Sequence, residues 1–148
     1  MSIHSHNKIW LHLIWETNGK QKIITPEARE KISNLLYEYS RKKNIFMKIN
    51  YVNADHVHAL VDLPTNVNPE ECIKLFKGGS SYYINKERIT KFKFSWGKGY
   101  GVFSVSPSQL NKVVSYIKNQ EEHHRVKTFE EEFNLFLKNY GIAKEENG

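Results

Sequence analysis

Residues 53–63 read Asn-Ala-Asp-His-Val-His-Ala-Leu-Val-Asp-Leu and are the most informative segment of the chain. Side chains of a β-strand point alternately to its two faces, so His56 and His58 share one face. The opposite face is apolar and consists of Val57, Ala59, Val61 and Leu63. The apolar row anchors the strand in a core, while the two imidazoles form a pair suited to metal binding or acid–base chemistry.

The rest of the chain alternates between strand and helix patterns. The predicted elements, in order, are a strand at 9–15, a helix at about 26–43, strands at 45–51 and 56–63, a helix from Asn68, a strand within 92–105, and helices from Ser106 and Thr128. Proline at the first helical position and capping residues define the helix starts. Gly78 and Gly79 lie inside the second helix and predict a kink or break there.

This order predicts an α+β protein with a ferredoxin-like (RRM-like) antiparallel sheet of βαββαβ topology. The two connecting helices are expected on one face of the sheet, which leaves the histidine face uncovered. Two further helices follow at the C-terminus. We expect a single domain over residues 1–148, with its core at about 8–142.

Composition narrows the classes of partner and location. The formal net charge of +6 and the sequence pI near 9.3 favour a polyanionic partner such as nucleic acid. Cys72 is the lone cysteine, which excludes an internal disulfide and a cysteine-rich zinc site. With neither a long apolar run nor a secretory leader at the N-terminus, a cytoplasmic location is expected.

The helix after Ser106 carries a second group of chemically active side chains. Its apolar stripe is centred on Leu110, Val114 and Ile117. Tyr116 and Gln120 are one turn apart along a flank of that stripe, where residues four apart are neighbours. His123 continues the same row. This arrangement is typical of a nucleophile held beside a metal ligand.

Four motifs together resemble a known family. Asp55–Leu60 looks like the histidine-hydrophobic-histidine (HUH) motif. The others are Trp96-Gly97-x-Gly99-Tyr100-Gly101-x-Phe103-Ser104, Tyr116-Ile117-x-Asn119-Gln120 and Glu122-His123-His124. They resemble the single-tyrosine HUH transposases of bacterial insertion sequences, the IS200-like TnpA type, over about residues 8–142.

The resemblance implies a catalytic mechanism and a metal cofactor. Tyr116 is implied as the catalytic residue, which attacks a DNA phosphodiester and leaves a 5′-phosphotyrosine and a free 3′-hydroxyl. A divalent metal ion, Mg²⁺ or Mn²⁺, is implied on His56, His58 and Gln120, with His123 as the rival third ligand. The general base for Tyr116 stays open.

The implied partners are single-stranded DNA with a hairpin, found at insertion-sequence ends, and a second copy of the chain. In that homodimer the tyrosine helix of one subunit completes the histidine site of the other. The residues assigned to DNA binding are Arg88, Lys91, Lys93, Trp96, Lys98 and Tyr100, which mix phosphate-binding and base-stacking side chains.

Three other functions fit parts of the pattern. A HUH nickase of the replication or repeat-associated type would share the chemistry and differ in its DNA. A non-enzymatic module that binds single-stranded nucleic acid would use the same fold. A zinc hydrolase would use His56, His58 and His123 and would need no tyrosine.

Overall fold

Four strands form an antiparallel sheet in the order β2-β3-β1-β4 in a computed structural model of the chain. The structure describes residues 6–123, without the side chain of His123, and residues 127–142. The elements are β1 (Trp10–Thr17), α1 (Pro26–Lys42), β2 (Phe46–Val52), β3 (His56–Asp62), α2 (Pro69–Lys86), β4 (Trp96–Val105), α3 (Leu110–Lys118), α4 (Gln120–His123) and α5 (Phe129–Asn139). The predicted α+β sheet fold is confirmed.

The chain divides into two compact units, residues 1–118 and 119–148. The first unit holds the sheet and helices α1 to α3. The second holds α4 and α5. Among the residues that the structure describes, no helix combines the length and apolar character needed to cross a membrane.

The main core of the first unit lies between the sheet and helices α1 and α2. Val57, Ala59 and Val61 of β3 are fully buried in it, together with residues of both helices such as Ile32 and Phe76. The apolar row predicted for β3 therefore faces this core. Helix α1 begins after Thr25, whose hydroxyl accepts a hydrogen bond from the Ala28 amide, as expected of an N-cap.

The other face of the sheet, where the histidines lie, is covered in part by α3. Leu60 of β3 and Trp10 of β1 share that face and form a second cluster with Ile117. The prediction of an uncovered histidine face was wrong. Burying the apolar stripe of α3 needs an apolar surface, and the Leu60 and Trp10 side chains supply one.

Helix α2 runs without interruption through Gly78 and Gly79, so the predicted kink or break is absent. A Cβ built at Gly79 would overlap the ring of Tyr39 on α1, whereas one built at Gly78 would meet no atom within 4 Å. The Tyr39 ring is held between the rings of Phe76 and Tyr83, at centroid distances of 6.1 and 6.3 Å. Gly79 thus permits close helix packing and does not end the helix.

The two glycines give a matched pair of stability predictions. Gly78→Ala should raise the free energy of unfolding by about 0.5–1 kcal/mol, because alanine is the better helix former. Gly79→Ala should lower it by roughly 1–2 kcal/mol, since overpacking against Tyr39 outweighs the same helix gain. Urea denaturation of both variants measures the difference. Equal shifts of the two midpoints would contradict the packing role of Gly79.

Strand β4 begins at Trp96, within the predicted range of 92–105, and it includes the glycine-rich stretch that was predicted as a turn before the strand. The side chain of Asn85 binds both backbone groups of Phe94: its amide donates to the Phe94 carbonyl at 2.9 Å and its oxygen accepts the Phe94 N–H at 2.7 Å. These two bonds satisfy the backbone polar groups of Phe94, which lies outside the sheet. Phe94 is consequently buried while Phe92 is exposed.

The single helix predicted from Ser106 through Gln120 is divided into several elements. Residues Pro107–Gln109 form a 3₁₀ turn, α3 follows and ends at Lys118, and Gln120 begins the separate helix α4. Tyr116 therefore belongs to the first unit and Gln120 to the second.

Helix α5 begins with the predicted capping box. The Thr128 hydroxyl accepts the Glu131 amide N–H at 3.2 Å, and the Glu131 carboxylate accepts the Thr128 amide N–H at 3.3 Å. Its predicted buried side consists of Phe129, Phe133, Phe136 and Leu137, and these are only half-buried; the buried residue of α5 is Glu132. His124, part of one sequence motif, lies outside the described residues.

Candidate metal centre and nucleophile

The histidine pair of β3 is fully enclosed. His56 and His58 are 1% and 0% exposed, and their ring centroids are 5.1 Å apart. The sheet register aligns His56 with Glu16 and His58 with Ile14 on β1. Because the buried imidazoles share one face in the middle of the sheet, they are a candidate metal site.

His56 is held in one tautomer by two neighbouring side chains. Its Nδ1–H donates to Asp55 Oδ1 at 2.6 Å, and its Nε2 accepts from the amide of Asn53 at 3.1 Å. Burial raises the pKa of Asp55, but the hydrogen bond from His56 opposes this, and that pKa lies below its usual value. A metal ion would bind Nε2 in place of the Asn53 amide, and a carboxylate behind the ring is a common orienting group for such ligands.

His58 is oriented by a histidine that the sequence analysis did not select. The Nδ1 atom of His58 lies 2.8 Å from Nε2 of His12 on β1, and both side chains are buried. His12 is 1% exposed. Its signal in the sequence was weak: a single polar residue in an apolar strand, in phase with Trp10 and Ile14 on the histidine face.

Tyr116 lies beside these histidines. Its ring centroid is 5.8 Å from that of His58 and 6.4 Å from that of His12, in edge-on contacts. Packing of α3 through Ile117 and Val113 against the sheet holds this tyrosine over the histidine face of the same chain. The structure thus brings together three residues of the first unit that sequence analysis assigned to the site: His56, His58 and Tyr116.

Glu16 is a further acidic group next to the pair, opposite His56 in the register. Its carboxylate Oε2 is buried and has no hydrogen-bond partner within the described part of the chain. Burial raises the pKa of Glu16, against the lowering effect of Lys20. A carboxyl group in this environment takes up a proton more readily than an exposed one.

The second unit contains two buried polar side chains with metal-binding chemistry. Gln120 Nε2 donates to Glu132 Oε2 at 3.4 Å. Both residues are buried, at 0% and 4% exposure. Because the amide nitrogen of Gln120 is directed at the carboxylate, the amide oxygen is the end that would coordinate a cation. Helix α4 contains His123, the rival ligand, but the structure describes only its backbone.

The residues assigned to DNA binding lie in three places. Arg88, Lys91 and Lys93 are exposed and line a groove of about 680 Å³ together with Phe92. Lys98 and Tyr100 are exposed on β4, where Lys77 on α2 donates to the Lys98 carbonyl at 3.1 Å and lies 5.7 Å from the Tyr100 ring centre.

Trp96 is part of the apolar core. It is 9% exposed, and its indole N–H donates to Ser80 Oγ at 2.8 Å. Stacking on a base would require this ring to leave the core. We therefore omit Trp96 from the proposed DNA surface.

Fold and site place the chain in the class of proteins that combine a ferredoxin-like sheet with an HUH strand. The family model described as "Transposase IS200 like" matches residues 5–120, which is most of the chain. The chain belongs to this family of transposases.

Two curated relatives and two solved structures are similar to the chain. The relatives are named transposase for insertion sequence element IS200, from Salmonella typhimurium and Salmonella typhi. Each is 25% identical over 120 residues, covering 78% of this chain and 78% of its own. A Deinococcus radiodurans structure assigned as a transposase superposes with a TM-score of 0.64 at 22% identity, covering 81% of this chain and 96% of its own.

The second structure is a REP-associated tyrosine transposase bound to a REP hairpin. It superposes with a TM-score of 0.58 at 14% identity, covering 84% of this chain and 74% of its own. At these identities the two structures establish the fold of the chain.

Proposed function

We propose that this protein cleaves and rejoins single-stranded DNA at the ends of an insertion sequence, through a covalent link between Tyr116 and a DNA 5′-phosphate. The observation that carries the proposal is the position of the Tyr116 ring, 5.8 Å from His58 of the buried HUH pair. A phenol next to two metal-ligand histidines provides the nucleophile and the electrophilic site that phosphodiester cleavage needs.

The residues fit a divalent cation. His56 presents Nε2 with Nδ1 bound to a carboxylate, which is the tautomer required of a ligand. His56 and His58 would hold the ion from the first unit, and Gln120 would supply an oxygen from the second. Glu132 has a buried carboxylate that could also bind a metal ion. It is a second rival to Gln120, beside the His123 named in the sequence analysis. Mg²⁺ and Mn²⁺ both accept oxygen ligands, while two imidazoles favour Mn²⁺.

The chemical steps balance without a nucleotide cofactor. Tyr116 Oη gives up its proton and attacks the phosphorus, and the bond from phosphorus to the 3′-oxygen breaks. The 3′-oxygen takes a proton, leaving a free hydroxyl and a 5′-phosphotyrosine. Attack by a 3′-hydroxyl on that link reverses the steps and joins the strands. A bound divalent cation would polarise the phosphate and stabilise its developing charge.

The DNA strand would be held by the exposed basic and aromatic residues. We propose that Arg88, Lys91 and Lys93 contact phosphates and that Lys98 and Tyr100 extend this surface along β4. The net charge of +6 supports a DNA partner. By analogy with the structure of similar fold bound to a REP hairpin, the proposed substrate carries a hairpin.

We also propose a homodimer, in which each subunit keeps its own α3 helix packed on its own sheet. Tyr116 lies beside the histidines of its own chain, which supports a dimer in which the tyrosine helix is not exchanged.

The proposal is tested with a labelled single-stranded oligonucleotide that carries a hairpin. Wild-type protein and Mn²⁺ should give a protein–DNA adduct that survives denaturation and retains the label placed 3′ of the cut. Omitting the metal, or supplying a fully double-stranded oligonucleotide, should prevent the adduct. Metal-independent binding without any adduct, over a panel of hairpin ends taken from the sequence flanking the gene, would favour the non-enzymatic module instead.

A further inference from the structure

Two orienting groups of different kinds lie behind the two HUH histidines. His56 has the carboxylate of Asp55 at its Nδ1, whereas His58 has the imidazole of His12 at the same atom. The His12–His58 rings are tilted by 36° with centroids 5.0 Å apart. The short Nε2–Nδ1 distance of 2.8 Å means that one ring donates a proton to the other.

We propose that His12 is a positioning residue, which holds His58 in the tautomer that can bind a metal. If His58 Nδ1–H donates to His12 Nε2, the lone pair of His58 is on Nε2. The opposite direction would put a proton on His58 Nε2 and block coordination there. Metal binding by His58 therefore requires His12 to act as the acceptor. The metal-binding role that His12 supports rests on the proposed function, whereas the hydrogen bond between His12 and His58 does not.

Packing alone does not explain a histidine at position 12. The neighbours that share its face of β1, Trp10 and Ile14, are buried and apolar, and His12 itself is 1% exposed. A buried imidazole costs free energy unless it is hydrogen-bonded, and an aliphatic side chain would fill the same space without that cost. The hydrogen bond to His58 is the contact that an aliphatic residue could not replace.

The choice of an imidazole over a second carboxylate also has an electrostatic consequence. A neutral His12 adds no negative charge behind His58, whereas a carboxylate there would reduce the positive potential of a bound cation. The substrate proposed for this site is an anionic phosphodiester. One carboxylate and one imidazole therefore fix both tautomers and leave the site more attractive to DNA.

The test compares His12→Leu, which fills the space without an acceptor, with His12→Gln, whose side-chain oxygen reaches the place of Nε2. Nitrogen-15 NMR of the histidine rings, without metal or DNA, reports the tautomer of His58. We expect Nδ1–H in the wild type and in His12→Gln, and a mixture or the Nε2–H form in His12→Leu. The affinity for Mn²⁺ alone should fall by about 10- to 100-fold in His12→Leu and recover in large part in His12→Gln.

A core variant on the other face of the sheet controls for lost stability. Ile32→Val removes one buried methylene from α1 and should lower the unfolding midpoint without changing the Mn²⁺ affinity. The proposal is overturned if His58 carries its proton on Nε2 in the wild type, or if His12→Leu keeps both the tautomer and the metal affinity. Absence of DNA cleavage by the wild type would reject the proposed function and leave these two measurements unaffected.

Discussion

Tyr116→Phe is expected to abolish the covalent protein–DNA adduct and to reduce strand cleavage by at least ~10³-fold, as loss of a nucleophile does in other enzymes. The substitution removes the hydroxyl and keeps the ring that packs edge-on to His58. The free energy of unfolding should change by about 1 kcal/mol or less, and the Mn²⁺ affinity should stay the same. Gel analysis of the labelled adduct and a metal titration measure the two effects separately.

Tyr51→Phe is the matched control for that variant. Tyr51 on β2 is aligned with His58 and packs in the same cluster as Tyr116, so its hydroxyl is a competitor for the role. It should form the adduct at the wild-type rate. An adduct that persists in Tyr116→Phe and disappears in Tyr51→Phe would show that Tyr51 on β2 is the nucleophile.

His58→Ala is expected to lower the Mn²⁺ affinity by at least ~100-fold and to abolish adduct formation, because one of the two proposed imidazole ligands is lost. It should also reduce the free energy of unfolding in the absence of metal by roughly 2–4 kcal/mol. A cavity forms in a fully buried position, and His12 loses its hydrogen-bond partner. Calorimetric titration with Mn²⁺ and urea denaturation measure these changes.

Two further variants separate ligand loss from general damage. His56→Ala should give a comparable loss of metal affinity through the other ligand. His6→Ala removes an exposed histidine before β1 and should leave metal binding and stability near their wild-type values. Wild-type affinity for Mn²⁺ in both β3 variants, with the His6 variant unchanged, would show that the ion binds elsewhere.

The sequence predicted the elements whose pattern is local. The alternation around His56 and His58 identified the strand, its buried side and the shared direction of the two imidazoles. The capping residues at Thr25 and Thr128 marked helix starts that the structure contains. In each case the deciding contacts lie within a few residues of one another, which is the range over which sequence patterns carry information.

The parts that sequence did not predict depend on contacts between distant residues. His12 is 46 positions from His58, and nothing in an apolar strand indicates which partner a single histidine will meet. A glycine inside a helix suggests a break, yet Gly79 lies in a continuous helix, where its missing side chain leaves room for the Tyr39 ring of α1. Glu132 is the buried residue of α5, and its hydrogen-bond partner Gln120 lies 12 positions away in a different helix.

The boundary after Lys118 lies between residues for which we propose two different chemical roles. The attacking group, Tyr116, belongs with the histidines in the first unit, whereas Gln120 and Glu132 belong to the second. If the neutral amide coordinates the cation, the full positive charge acts on the phosphate. If the carboxylate coordinates it, part of that charge is neutralised. On the proposed function, the chemical type of the oxygen ligand would therefore set how strongly the cation activates the phosphate.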